Sequence, residues 1–317
     1  MKKYIKYIVI ICLIIIMLAV IGFAVSNNKN NRNQNKSESG SFKIVTTFYP
    51  LYIMASNITQ GANNIELVNM ADVNVGCVHD YTLTTTDMKK LENANILIEN
   101  GLGLESFIDK VTSSNKEIQI IDSSENIQNL IKEDDEINPH IWTSISNYIL
   151  QVENIKKGLC DKNPENAEIY IKNAQEYIKK IEKLKDDYNS RLKKLEGKGA
   201  IILNESFEYL AKDLGINATA IHTSHEESSL SAENLKNIIN TVKKDDIKII
   251  IVDIDDDLKN AQTIANETGA QIYKLDSGLK GDMDIKSYIN SMNRNLETLS
   301  GLSVDKTCGI PKSFEST

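Results

Sequence analysis

From Phe42 onward, short β-branched runs alternate with amphipathic stretches, and this alternation restricts the chain to βαβ units built on parallel sheet. The first set of runs is Phe42–Tyr49, Ile65–Met70, Ile96–Asn100 and Ile118–Ile121. Helical patterning falls between them at Leu51–Thr59 and Thr86–Asn93, with Asp87 or a neighbouring Thr as the N-cap of the second. The rhythm returns at Gly199–Leu203, Ala218–His222, Ile247–Asp253 and Gln271–Asp276, with helices expected over Leu235–Val242, Leu258–Thr268 and Ile285–Leu299. Two sets of about four strands predict an α/β protein of two lobes, each a mostly parallel sheet with flanking helices. No sequence repeat links the two sets.

The segment joining the lobes is distinctive. Pro164 opens a stretch that runs to about Glu196 with no internal Pro or Gly. Tyr170, Ala174, Tyr177, Ile181, Leu184, Tyr188, Leu192 and Leu195 recur at three- and four-residue steps among Lys, Glu and Asp. The pattern predicts one amphipathic helix of roughly 50 Å at 1.5 Å per residue, with Pro in its first turn. A coiled-coil dimer arm would show the same periodicity, but flanking α/β lobes favour a rigid strut packed along both. The expected divisions are an N-terminal lobe over 42–162, the linking helix over 163–197, a C-terminal lobe over 198–302 and a tail over 303–317. The protein is expected to be a monomer.

The first 26 residues read as an export signal or membrane anchor. Three Lys within Met1–Lys6 precede an uncharged run of 19 residues, Tyr7–Val25. That run is long for a signal-peptide core, although Ala24-Val25-Ser26 would pass as a cleavage site. A lipid-attachment signal would put a Cys at the end of the run, whereas Cys12 lies in its middle. The apolar-free segment 27–41 is a disordered tether. With the Lys residues held inside, everything beyond Ser26 faces the cell exterior, which excludes cytoplasmic metabolism. The whole chain of 317 residues carries a net charge of −8. That balance argues against a nucleic-acid partner. Its four Cys, at 12, 77, 160 and 308, form neither a disulfide framework nor a CxxC zinc module.

There are only four His. His79 lies in Gly76-Cys77-Val78-His79-Asp80-Tyr81, just past a strand. His140 lies in Asn138-Pro139-His140-Ile141-Trp142, where Pro139 pins the backbone. Both sit in loops, where α/β proteins hold ligands, although a lone loop His is more often a surface residue than a ligand. Two neutral imidazoles with one or two carboxylates suit zinc, manganese or iron. Carboxylate oxygen favours manganese, and added imidazole favours zinc.

Six segments in order give the chain a resemblance to the substrate-binding proteins of zinc and manganese ABC transporters. They are Val78-His79-Asp80-Tyr81 with Thr86-Asp87, Asn100-Gly101-Leu102-Gly103-Leu104-Glu105, Asn138-Pro139-His140-Ile141-Trp142, Phe207-Glu208-Tyr209-Leu210-Ala211, Glu267-Thr268-Gly269-Ala270, and Leu275-Asp276. The resemblance spans about Phe42 to Leu302. It implies two lobes bridged by a long rigid helix, with a divalent metal as transported ligand between them, an ABC permease as partner, no organic cofactor and no catalysis. Carried over position by position, the implied metal ligands are His79, His140, position 204 and Asp276.

Position 204 departs from that pattern. Asn204 stands where the family has His or Glu, and its type equally suits a helix N-cap. Glu205, one residue along, is a substitute ligand if the loop shifts. His225 or Glu226, in His222-Thr223-Ser224-His225-Glu226-Glu227, would otherwise restore four ligands, unless that segment is simply a solvated loop. Three protein ligands plus water is a further arrangement. Asp80 reads as a supporting or capping residue, and Cys77 as structural. The long His-rich loop of many zinc-specific members is absent. A surface adhesin with a weakened metal site is the alternative function. A zinc-dependent hydrolase is disfavoured because neither HExxH nor a serine nucleophile elbow is present.

Overall fold

The computed structural model describes residues 40–72, 75, 81–108, 117–133, 136–221 and 231–301. The N-terminal run, His79 with Cys77 and Asp80, the segment His222–Glu227 and the tail 303–317 lie outside the described residues. Among the described residues no helix is long and apolar enough to cross a membrane.

The first lobe comprises β1 (Phe42–Thr46), α1 (Tyr49–Thr59), β2 (Ile65–Asn69), α2 (Thr85–Leu91), β3 (Ile96–Glu99) and β4 (Gln119–Asp122). A short antiparallel pair, β5 (Lys132–Glu133) and β6 (Glu136–Ile137), leads to α3 (Ile145–Lys162). Its sheet has the order β2-β1-β3-β4, with β1–β3 and β3–β4 pairing in parallel. Burial of Val45, Leu97, Met70, Leu91, Ile108 and Ile118 on one face closes its core.

The linking segment is a helix with tightened ends. Pro164–Asn166 forms a 3-10 turn, α4 runs Ala167–Arg191, and Lys193–Leu195 is again 3-10. The α-helical part has 25 residues, about 38 Å at 1.5 Å each. It is therefore shorter than the uninterrupted helix that the periodicity alone predicts. Tyr170, Ala174, Tyr177, Ile181, Leu184, Tyr188, Leu192 and Leu195 are all buried, as the spacing requires. The stripe packs against α1 and α3 of the first lobe and against the last helix of the second.

The second lobe comprises β7 (Gly199–Ile202), α5 (Glu208–Asp213), β8 (Asn217–Ala220), α6 (Ala232–Lys244), β9 (Ile249–Asp253), α7 (Lys259–Thr268), β10 (Gln271–Leu275) and α8 (Ser287–Ser300). All its strand pairs are parallel, in the order β10-β9-β7-β8. Read from the other edge this is β8-β7-β9-β10, the same winding as the first lobe. The two lobes share a topology without sharing a sequence repeat.

Candidate metal centre

In both sheets the chain winds outward in opposite directions from a central pair, β1 and β3 in one and β7 and β9 in the other. The crevice at the carboxyl ends of such a pair is where parallel α/β sheets hold ligands. Asn204 and Glu205 follow β7, Asp253 ends β9, and Asp276 follows β10. The second lobe thus brings its candidate donors to one end of its sheet.

His140 is 1% exposed. Its Nδ1 lies 2.9 Å from Asn138 Oδ1, which also accepts the His140 backbone N–H at 3.0 Å. Asn138 donates its amide N–H to the Glu205 carbonyl, so its orientation is fixed and Oδ1 can only accept. In the neutral ring the proton therefore sits on Nδ1, and the lone pair that can bind a metal is on Nε2. Tyr209 donates its hydroxyl to the Asn138 carbonyl at 2.7 Å and accepts the Ile131 N–H at 3.0 Å.

Glu205 begins a 3-10 turn, Glu205–Phe207. Its Oε1 comes to 3.7 Å from His140 Nδ1, with its side chain 37% exposed. That approach is from the Nδ1 side of the ring, so a metal at Nε2 would require Glu205 to adopt another rotamer. Asn204 caps the turn: its Oδ1 accepts the Ser206 N–H at 3.1 Å. Its amide N–H donates to both oxygens of Asp256 at 3.2 Å. Both ends of the Asn204 amide are engaged.

Asp276 is 6% exposed. Asn295 accepts its N–H and donates to its carbonyl, both at 2.8 Å. The carboxylate accepts Gly278 N–H on Oδ1 at 2.8 Å, and Arg294 at 2.6 Å together with the Ser291 hydroxyl on Oδ2. Asp253, buried beside it, accepts the N–H of Ser277 and of Asp255. Burial pushes its carboxyl upward from the ordinary range, against those donors. Trp142 donates its indole N–H across the lobes to the Ser277 carbonyl at 3.0 Å. The His140 and Asp276 segments are therefore fastened together.

Among the described residues, no three His, Cys, Asp or Glu side chains converge into a group able to hold a metal ion. His79, His225 and Glu226 lie outside those residues. After His79 in sequence, the described residues resume at Tyr81. Tyr81 donates its hydroxyl to Asp87 Oδ2 at 2.7 Å, and Thr84 caps α2 in a reciprocal box with Asp87. Burial alone would raise the Asp87 carboxyl, but donation from Thr84 and Tyr81 and the nearby Lys90 hold it below its ordinary value.

The supporting residues Asn138, Asp253, Ser291, Arg294 and Asn295 are not site candidates on sequence pattern alone. Asn138 was visible within the Asn-Pro-His segment. The Asp run at 253–257 marks the end of β9, but Ser291 and Arg294 carry no local signal.

Two parallel α/β lobes sharing a long helix, with candidate donors after the strand ends, are the architecture of the solute-binding proteins among the structural neighbours. Residues 44–301 match the family model described as zinc-uptake complex component A, periplasmic. The chain belongs to that family of metal-binding solute-binding proteins, which are not enzymes. The iron-binding protein YfeA of Yersinia pestis is 30% identical over 269 residues, covering 81% of this chain and 85% of that one. The zinc-binding protein AdcA of Streptococcus pyogenes is 29% identical over 290 residues, 82% of this chain; the chain spans only 56% of AdcA's length. Among solved structures, the SBP FpvC of Pseudomonas aeruginosa in complex with Mn2+ is 28% identical with a TM-score of 0.73, covering 82% of this chain and 97% of that one.

Proposed function

We propose that this protein captures one divalent transition-metal ion, zinc or manganese, outside the cytoplasm and delivers it to the permease of an ABC importer. The observation that carries this reading is His140, buried and held by Asn138 in the tautomer that presents Nε2. Asp276 at the facing strand ends supplies a carboxylate, and His79 is the second imidazole. Glu205 is the fourth donor, because a carboxylate binds these ions better than the neutral amide oxygen of Asn204, which caps the turn by accepting the Ser206 N–H. The uncharged run at Tyr7–Val25 is the export signal or tether that keeps the receptor at the membrane.

Relatives named for iron and zinc, and a structure holding Mn2+, support a transition-metal cargo without choosing among these ions. The test is titration of metal-free protein with Zn2+ and Mn2+, with elemental analysis of what co-purifies. Binding tighter than about 10 μM, equivalent to about 7 kcal/mol, is expected for at least one of them. Weaker binding of both contradicts the proposal. Imidazole must be unprotonated to bind, so affinity falls below about pH 6.

A further inference from the structure

The carboxylate of Asp276 is held more completely than a ligand needs to be. Its oxygens offer about four lone pairs. Among the described residues three are taken: one on Oδ1 by the Gly278 N–H, and two on Oδ2 by Arg294 and the Ser291 hydroxyl. Arg294 also donates to Ser291 Oγ at 3.1 Å, which closes a ring of three groups around Oδ2. An approaching metal can therefore take Oδ1 without breaking a hydrogen bond, but chelation through both oxygens requires the clamp to open. The carboxylate is 8% exposed, whereas the Arg294 side chain is 63% exposed. The guanidinium reaches in from the rim of an open cavity of about 180 Å³ that it lines with Tyr49, Lys280 and Ser287.

We propose that Arg294 and Ser291 restrict Asp276 to one-oxygen ligation and thereby set the discrimination between zinc and manganese. This rests on the metal-capture function above. Zinc is satisfied by four donors in a tetrahedron, to which Asp276 contributes one oxygen. Manganese is a hard ion that favours six-coordination by oxygen. Withholding Oδ2 costs manganese a ligand and costs zinc none. The charge of Arg294 weakens the carboxylate for both ions alike, so only the ratio of affinities reports the clamp.

The test compares wild type with Arg294→Met, Ser291→Ala and the double variant, each stripped of metal. Zn2+ and Mn2+ affinities are measured by chelator competition at one pH and ionic strength. X-ray absorption on the Mn2+-loaded proteins counts oxygen ligands. In Arg294→Met the zinc-to-manganese affinity ratio falls about fivefold or more through tighter manganese binding, and the manganese shell gains one oxygen. Ser291→Ala moves the ratio the same way and stands as the test if Arg294→Met does not fold. A ratio unchanged within about twofold in the variants, or equal tightening of both metals, overturns the clamp while leaving metal capture intact. Wild-type protein that binds neither ion overturns both.

Discussion

At the scale of single residues, what distinguishes His140 is its neighbour. Asn138 fixes the ring tautomer, the His140 backbone and the Glu205 carbonyl with one amide group. Asn138→Ala is expected to weaken metal affinity about 10- to 100-fold while leaving the ligands themselves in place, read by the same competition titration. A second residue reports on stability. Glu105 is buried and accepts the N–H of Asn100 and of Gly101 and the hydroxyl of Thr47, all at the ends of β1 and β3. Burial pushes its carboxyl up to about 8, against those three donors. The folded state then binds more protons than the unfolded state between the ordinary carboxyl range and about pH 8. Stability contributed by Glu105 is therefore greatest at low pH and is lost as pH rises through that window, by a few kcal/mol at most. Urea midpoints at pH 5 and pH 8.5 are expected to show wild type losing ground against Glu105→Gln, which has no charge to bury. Parallel behaviour of the two proteins would contradict this.

At the scale of elements, the β-branched runs locate all eight strands of the two main sheets, most plainly the central ones such as β9, which is buried throughout and leaves little room for other residues, whereas the edge strands β4 and β8 are largely exposed. The α3 helix has no such clarity in sequence. Its apolar positions Tyr148, Val152, Ile155 and Leu159 are interrupted by the buried Gln151 and by Gly158. Both interruptions have structural reasons. Gln151 donates to Asn100 and Ser123 at the ends of the first sheet. Gly158 lets the helix close on β4, since an added Cβ would fall 2.8 Å from Ile121 Cδ1. Gly158→Ala is expected to lower stability by about 1 kcal/mol, overpacking outweighing the better helix propensity of Ala; a higher melting point would contradict it. The α2 cap was readable as a Thr near Asp87, and Thr84 occupies the position. Thr84→Ala is expected to cost about 1 kcal/mol in chemical denaturation. The tightened ends of α4 were not readable, because an apolar stripe continues through 3-10 turns as readily as through α-helix.

At the scale of the molecule, the two lobes are joined by buried aromatic contacts as well as by α4. Tyr148 stacks on Tyr288 at 3.5 Å and shares a hydroxyl hydrogen bond with Tyr177 at 2.9 Å. Tyr188 donates to the Met292 carbonyl, and Tyr49 to that of Asp282. Residues 43–301 are thus expected to melt in one cooperative transition by calorimetry, and two separated transitions would contradict that. The same geometry explains how much of the site the sequence could show. Candidate donor types are legible one segment at a time, as at His140 and Asp276. The clamp on Asp276 is not, because Ser291 and Arg294 meet it only through the packing of α8 on β10. The proposed function has the lobes meeting around one transition-metal ion held through His140. Its most direct test is titration of metal-free wild type and His140→Ala with Zn2+ and Mn2+ under identical conditions. One ion per chain is expected, bound tighter than about 10 μM by wild type and lost in the variant. Binding that survives His140→Ala undiminished, or that is absent from wild type, would contradict it.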